Sequence, residues 1–122
     1  MVGGLRVCVV LPAYNAAATL ERTVAELPEE VDRVILVDDA SRDATVELAR
    51  RLGLETLVHP RNRGYGGNQK SCYRAALAGP EEIVVLLHPD YQYTPRLFAA
   101  MAAMLASGHY DLVLGSRILG GD

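Results

Sequence analysis

Apolar residues fall along this chain in two alternating rhythms. Five short runs are nearly continuous and mostly β-branched: Leu5 to Leu11, Val31 to Val37, Leu54 to Val58, Ile83 to Leu87 and Asp111 to Leu114. Strands of a parallel sheet read this way, because helices cover both of their faces. Between the runs, apolar residues recur every three or four positions. Leu20, Val24 and Leu27 make one such set, Ala44, Leu48 and Leu52 a second, and Leu97, Met101, Met104 and Leu105 a third. That spacing lays an apolar stripe along one side of a helix. Thr19 with Glu21, and Ser41 with Asp43, stand where two of these helices would start. Strand alternating with helix predicts an α/β fold: a doubly wound, mainly parallel sheet with right-handed crossovers and helices on both faces.

The polar residues are as organised as the apolar ones. Each run ends in an unusual cluster: PAYN after the first, DDAS after the second, HPRNRGYGGNQKS after the third, HPDYQY after the fourth and GSR after the fifth. Doubly wound sheets bind ligands at the carboxyl ends of their strands. Five distinctive loops on one edge point to a site there more strongly than any one of them does.

Composition narrows the classes. A chain of 122 residues, half of them hydrophobic, suffices for one domain with a real core, and no repeat or linker divides it. A net charge of -3 argues against a protein that coats nucleic acid. Lys70 is the only lysine; the other cations are arginines, which suit bidentate contact with phosphate or carboxylate. Cys8 and Cys72 lie in apolar surroundings without CxxC spacing, as reduced core thiols do, and a cytoplasmic location is expected. No apolar run reaches membrane-spanning length.

Three clusters carry candidate chemistry. Asp38 and Asp39 close the second strand, and neighbouring strand residues face opposite ways. One is expected to brace or cap the following loop, the other to read a ligand. The stretch NRGYGGNQKS reads as a glycine-rich loop ending in Lys70 at a helix start, a place where backbone N–H groups can meet phosphate. It misses the P-loop signature, because Gln69 stands where glycine is required before the lysine, and it follows the third strand rather than the first. In HPDYQY, Asp90 and Gln92 are two apart and can point the same way, offering two oxygens to a hard cation such as Mg2+. A carboxylate against a diphosphate needs such a cation, since unit charges about 4 Å apart repel by roughly 4 kcal/mol at an effective dielectric near 20. The plainer alternative makes Asp90 a turn residue before a helix at Thr94-Pro95-Arg96. Arg117 in GSR is either a phosphate contact or a solvated surface cation.

In order and spacing, VVLPAYNAAATL, VILVDDASRDAT, NRGYGGNQKS, IVVLLHPDYQY and DLVLGSR resemble the nucleotide-binding half of family 2 glycosyltransferases. The similarity spans essentially the whole chain. It leans toward the polyprenyl-phosphate sugar transferases, such as the dolichol-phosphate mannose synthases. The resemblance implies a Rossmann-like GT-A fold, cut short here after the fifth strand. It further implies that residues 1–122 are a nucleotide-sugar-binding domain, the N-terminal part of a longer transferase. Pro12, Ala13 and Tyr14 would line the base pocket, and Asn15 would also belong to the nucleotide-sugar site. Asp39 would contact the base or ribose, with Asp38 beside it, and Gly64 and Lys70 would lie near the phosphates. Asp90, helped by Gln92, would hold Mg2+ or Mn2+, and Arg117 would face a phosphate. Two positions depart from the family pattern: Ala16 replaces an acidic residue, and His88 replaces the first Asp of the DxD motif. His88 would still hydrogen-bond the ribose or sugar.

The implied reaction is metal-dependent, inverting transfer from a UDP- or GDP-linked sugar, with a polyprenyl phosphate as a candidate acceptor. Peripheral association with the cytoplasmic face of a membrane and a homo-oligomeric state are candidate partnerships, and nucleic acid is not expected. The alternative is a non-catalytic nucleotide-sugar-binding or assembly module lacking its acceptor half. A receiver domain fits less well, because it wants its Asp pair after the first strand and a lysine after the fifth. A dinucleotide-binding domain wants G-x-G-x-x-G where PAYNAA stands.

Overall fold

A computed structural model describes residues 1–89, 103 and 106–108. Within them, strands β1 (Val7–Ala13), β2 (Arg33–Asp38), β3 (Glu55–Val58) and β4 (Ile83–Leu86) alternate with helices α1 (Ala17–Ala25), α2 (Thr45–Arg51) and α3 (Gly64–Leu77). The strands form one parallel sheet in the order β3-β2-β1-β4. The expected α/β architecture is therefore present. The expected fifth strand and the Leu97–Leu105 stripe lie outside the described residues.

Period-two alternation along β1 divides the core in two. Val7, Val9, Leu11 and Ala13 pack with Leu20 of α1 and Ala49 of α2. Cys8 and Val10 face the other way, joining Ile35 and Val37 of β2 with Cys72 and Ala76 of α3. Every residue of β1 is buried, as a central strand between two helical layers must be. Leu20, expected on the apolar stripe of α1, is fully buried, while Leu48 and Leu52 flank the same layer from α2.

Several boundaries differ: α1 begins at Ala17 rather than at Thr19, α2 at Thr45 rather than near Ser41, and β1 differs at both ends. The first strand starts at Val7 rather than Leu5, because Val2 and Leu5 pair with each other around Gly3 and Gly4, both at positive φ. It then continues past Leu11 through Pro12, which stands opposite Val37 in the ladder with β2. Proline is tolerated here because the β4 ladder ends at Val10, so among the described residues β1 is paired on one side only beyond that point. A last bond from the Leu87 N–H to the Val10 carbonyl (2.9 Å) closes the β4 side. The strand order reverses between β1 and β4, so the carboxyl edge beyond Val10 is the topological switch point of the sheet, where folds of this kind form their ligand cleft.

Candidate functional site at the carboxyl edge of the sheet

The two aspartates at the end of β2 divide as strand geometry requires. Asp38 lies on the α1/α2 side and is fully buried. Its carboxylate accepts the Ser41 N–H (2.9 Å) and the Ser41 hydroxyl (2.5 Å). The same hydroxyl accepts the Asn15 N–H (2.8 Å), and the Asn15 side-chain oxygen accepts the Arg42 N–H (2.8 Å). The turn after β1 and the loop after β2 are thus tied together. Asn15 and Ala40 both adopt left-handed backbone, with φ of 50° and 62°. Asparagine tolerates this conformation, whereas alanine resists it by about 1–2 kcal/mol, which the surrounding hydrogen bonds must offset.

Asp39 faces the α3 side. Its carboxylate accepts the Arg63 N–H (2.7 Å) and the Gly64 N–H (3.0 Å), and it meets Nδ1 of His59 at 2.8 Å. A carboxylate can only accept, so Nδ1 of His59 carries the proton. Nε2 of His59 meets the Ser71 hydroxyl at 2.8 Å, which carries the chain of bonds into α3. Burial pushes the Asp39 carboxyl up, but the hydrogen bonds from His59, Arg63 and Gly64 outweigh it and hold the group below the usual carboxylate range. His59 and Ser71 are invisible to motif reading, since neither residue type at that spacing marks anything.

The glycine-rich stretch is not a loop leading to a helix at Lys70. It is the first two turns of α3 itself, which begins at Gly64. Gly64 has φ of 80°, and a Cβ on Gly67 would come within 2.8 Å of the Arg63 Cβ. These glycines let the chain turn sharply onto Asp39. Lys70 is exposed and stands about 9 Å further along the helix axis, at 1.5 Å per residue. Asn68 on this helix is buried and donates its Nδ2 group to the carbonyls of Val37 (3.0 Å) and Ala13 (3.4 Å), pinning α3 to the ends of β1 and β2. The spacing Asn68, Cys72, Ala76 marks one helical face of small residues and could have revealed the packing side.

Around the cleft, Pro12 and Ala13 are buried in β1, and Tyr14 beyond them is exposed. His88, just past β4, is half-buried. Its Nε2 lies 2.8 Å from the hydroxyl of Tyr65, and the two rings stack with centroids 5.2 Å apart at 17°. The Pro89 carbonyl accepts the hydroxyls of Thr19 (2.5 Å) and Thr23 (3.2 Å) from α1, which anchors the chain immediately before Asp90. At the start of α1, where Ala16 brings no acid, Asp43 reaches across from the next loop. It accepts the Ala17 N–H (3.1 Å) together with the N–H (3.0 Å) and hydroxyl of Thr45. Burial raises the Asp43 carboxyl, while the bonds from Thr45 and Ala17 lower it more, leaving it depressed overall. Asp90, Gln92 and Arg117 lie outside the described residues. Among the described residues no three metal-ligating side chains converge, and none forms a helix long and apolar enough to cross a membrane.

Comparison with known proteins accords with this geometry. The family model for glycosyl transferase family 2 matches residues 8–122. The chain is 36% identical over 121 residues to an undecaprenyl-phosphate 4-deoxy-4-formamido-L-arabinose transferase of Pseudomonas aeruginosa, covering 88% of this chain and 34% of that protein. It is 34% identical over 127 residues to glycosyltransferase AglD of Haloferax volcanii, covering 93% of this chain and 20% of the relative. Glucosyl-3-phosphoglycerate synthase of Mycobacterium tuberculosis, solved with Mn2+, UDP and glucosyl-3-phosphoglycerate, superposes with a TM-score of 0.71. Its identity is 26%, over 87% of this chain and 41% of that one. The chain therefore spans less than half the length of each of these relatives. With a parallel sheet of the GT-A type and a family model matched from Cys8 to the last residue, the chain belongs to glycosyl transferase family 2.

Proposed function

We propose that this chain binds a nucleoside diphosphate sugar at the switch-point cleft and serves an inverting glycosyltransferase whose acceptor is a polyprenyl phosphate. The observation that carries the reading is the switch point beyond Val10, on a fold shared with a glucosyl-3-phosphoglycerate synthase solved with UDP and Mn2+. In this reading Tyr14 and Asn15 flank the base, and His88 approaches the ribose or sugar. Asp90 and Gln92 hold a divalent cation. An oxygen set of one carboxylate and one carboxamide suits Mg2+ or Mn2+, which keep water and substrate phosphates as their other ligands. When bound, the cation offsets charge on the departing diphosphate.

The acceptor oxygen attacks the anomeric carbon from the face opposite the diphosphate. The new C–O bond forms as the bond to the diphosphate breaks, and the configuration inverts. A hydroxyl acceptor would need a base to take its proton. The described carboxylates at this edge, Asp38, Asp39 and Asp43, are all committed to N–H and hydroxyl groups of the scaffold. A phosphate acceptor is already an anion and needs no such base, which supports a lipid phosphate, the class for which relatives such as the undecaprenyl-phosphate transferase are named. Lys70 and Arg117 are placed in this reading as further cations toward phosphate, at the cytoplasmic face of a membrane.

Calorimetric titration with UDP and with GDP, with and without Mn2+, tests the reading. Binding that requires Mn2+ and weakens by at least about 10- to 100-fold in Asp90→Ala is expected, since even outer-shell partners of metal sites cost that much. Binding to neither nucleotide would overturn it and favour a non-catalytic module.

A further inference from the structure

We infer that Tyr65 is a specificity-determining positioning residue, acting on the donor sugar nucleotide through His88; this rests on the donor-site reading above. Tyr65 is the second residue of α3, and its side chain is 60% exposed. Its hydroxyl meets Nε2 of His88 at 2.8 Å while its ring stacks on the imidazole. The contact bridges the start of α3 to the end of β4, across the carboxyl edge of the sheet.

Two consequences follow from the chemistry of the pair. First, α3 starts on the backbone bonds from Arg63 and Gly64 to Asp39, so Tyr65 is mounted on a fixed point and His88 is held in one orientation by a rigid neighbour. A group held in place loses less freedom when a ligand binds. Second, the pair offers stacked aromatic rings and a ring nitrogen, with no carboxylate on either residue. Such a surface suits the ribose or sugar ring of the donor, whose C–H face can lie on an aromatic ring and whose hydroxyls can meet the imidazole.

The test is a double-mutant cycle on the whole protein with Tyr65→Phe, His88→Phe and the double variant. The probes are UDP, GDP, UDP-glucose and GDP-mannose with Mn2+, followed by calorimetry. His88→Phe keeps a ring to stack on but removes Nε2; Tyr65→Phe removes only the hydroxyl. Tyr65→Phe is expected to weaken the bound sugar nucleotide by about fivefold, the size of one net hydrogen bond. The same change made on top of His88→Phe is expected to alter the dissociation constant by less than about twofold. Thermal unfolding of Tyr65→Phe is expected to be unchanged, because that side chain is exposed and keeps its ring. An unchanged dissociation constant in Tyr65→Phe, or two effects that simply add, would overturn the inference while leaving the donor site standing. No binding by the wild-type protein to any probe would overturn both.

Discussion

Replacing Asp39 offers a sharp test of how the carboxyl edge is held. Asp39 is 3% exposed, and its carboxylate receives the Arg63 N–H, the Gly64 N–H and Nδ1–H of His59. Asp39→Ala leaves the donors on Arg63 and His59 without that acceptor, whereas Gly64 keeps the Asn62 side-chain oxygen at 2.9 Å. A buried donor left without a partner costs about 1–3 kcal/mol, so two of them should lower the unfolding free energy by roughly 3 kcal/mol. At a urea slope of about 2 kcal/mol per molar, the midpoint falls by about 1.5 M. Asp39→Asn keeps the volume and one oxygen but loses the charge and sets an amide N–H2 against the Gly64 N–H. Its expected cost is about 1–2 kcal/mol. The pH dependence has a definite sign. The folded Asp39 carboxyl sits below its ordinary value, so its contribution is complete above the unfolded value and is lost as pH falls through the folded one. The wild-type and Asn curves should therefore converge below about pH 4. Urea unfolding followed by circular dichroism across that range is the assay. An Asn variant within about 0.5 kcal/mol of wild type at pH 7, or a difference that ignores pH, refutes the reasoning.

Two further outcomes are expected. Burial, with Glu81 nearby, pushes the Cys8 thiol up to about 11, and burial with Cys8 as a neighbour pushes Cys72 up to about 12. Both should therefore resist a thiol reagent at pH 8 until denaturant is added, and rapid labelling of the native protein would contradict their place in the core. Asn68→Leu should cost about 1–2 kcal/mol in urea unfolding, because it fits the volume but leaves the Val37 carbonyl without its side-chain donor; a neutral result would show that this donor is dispensable.

The layout of the fold was legible because apolar periodicity records burial directly. Continuous runs marked strands covered on both sides, and the i, i+4 spacing of Leu20 and Val24 marked α1. Boundaries were less legible. The start of β1 depended on Val2 pairing with Leu5, and its end on β4 stopping early, and both are facts about neighbours. The GYGG stretch was misread because glycine disfavours helix interiors on average. Here the close approach of Arg63 to Gly67 and the acceptor offered by Asp39 override that preference. At the site, adjacent aspartates foretold opposite faces, but both carboxylates brace the scaffold where one was expected to be left for a ligand. Nothing in the sequence foretold that His59, Asn68 and Tyr65 would meet Asp39, two strand carbonyls and His88, since those pairings cross from one βα unit to another.

The early end of the β4 ladder makes the depth of the cleft a matter of strand lengths. At about 3.3 Å per residue, β1 extends roughly 10 Å beyond its last partner in β4. That offset is set before any side chain is chosen. Relatives could exchange tyrosine, histidine or aspartate around the rim and change what they recognise, while the floor of the cleft stays fixed by backbone pairing. Lengthening β4 by two residues would do the reverse: it would keep every side chain at the rim of β1 and take away the room for a ligand.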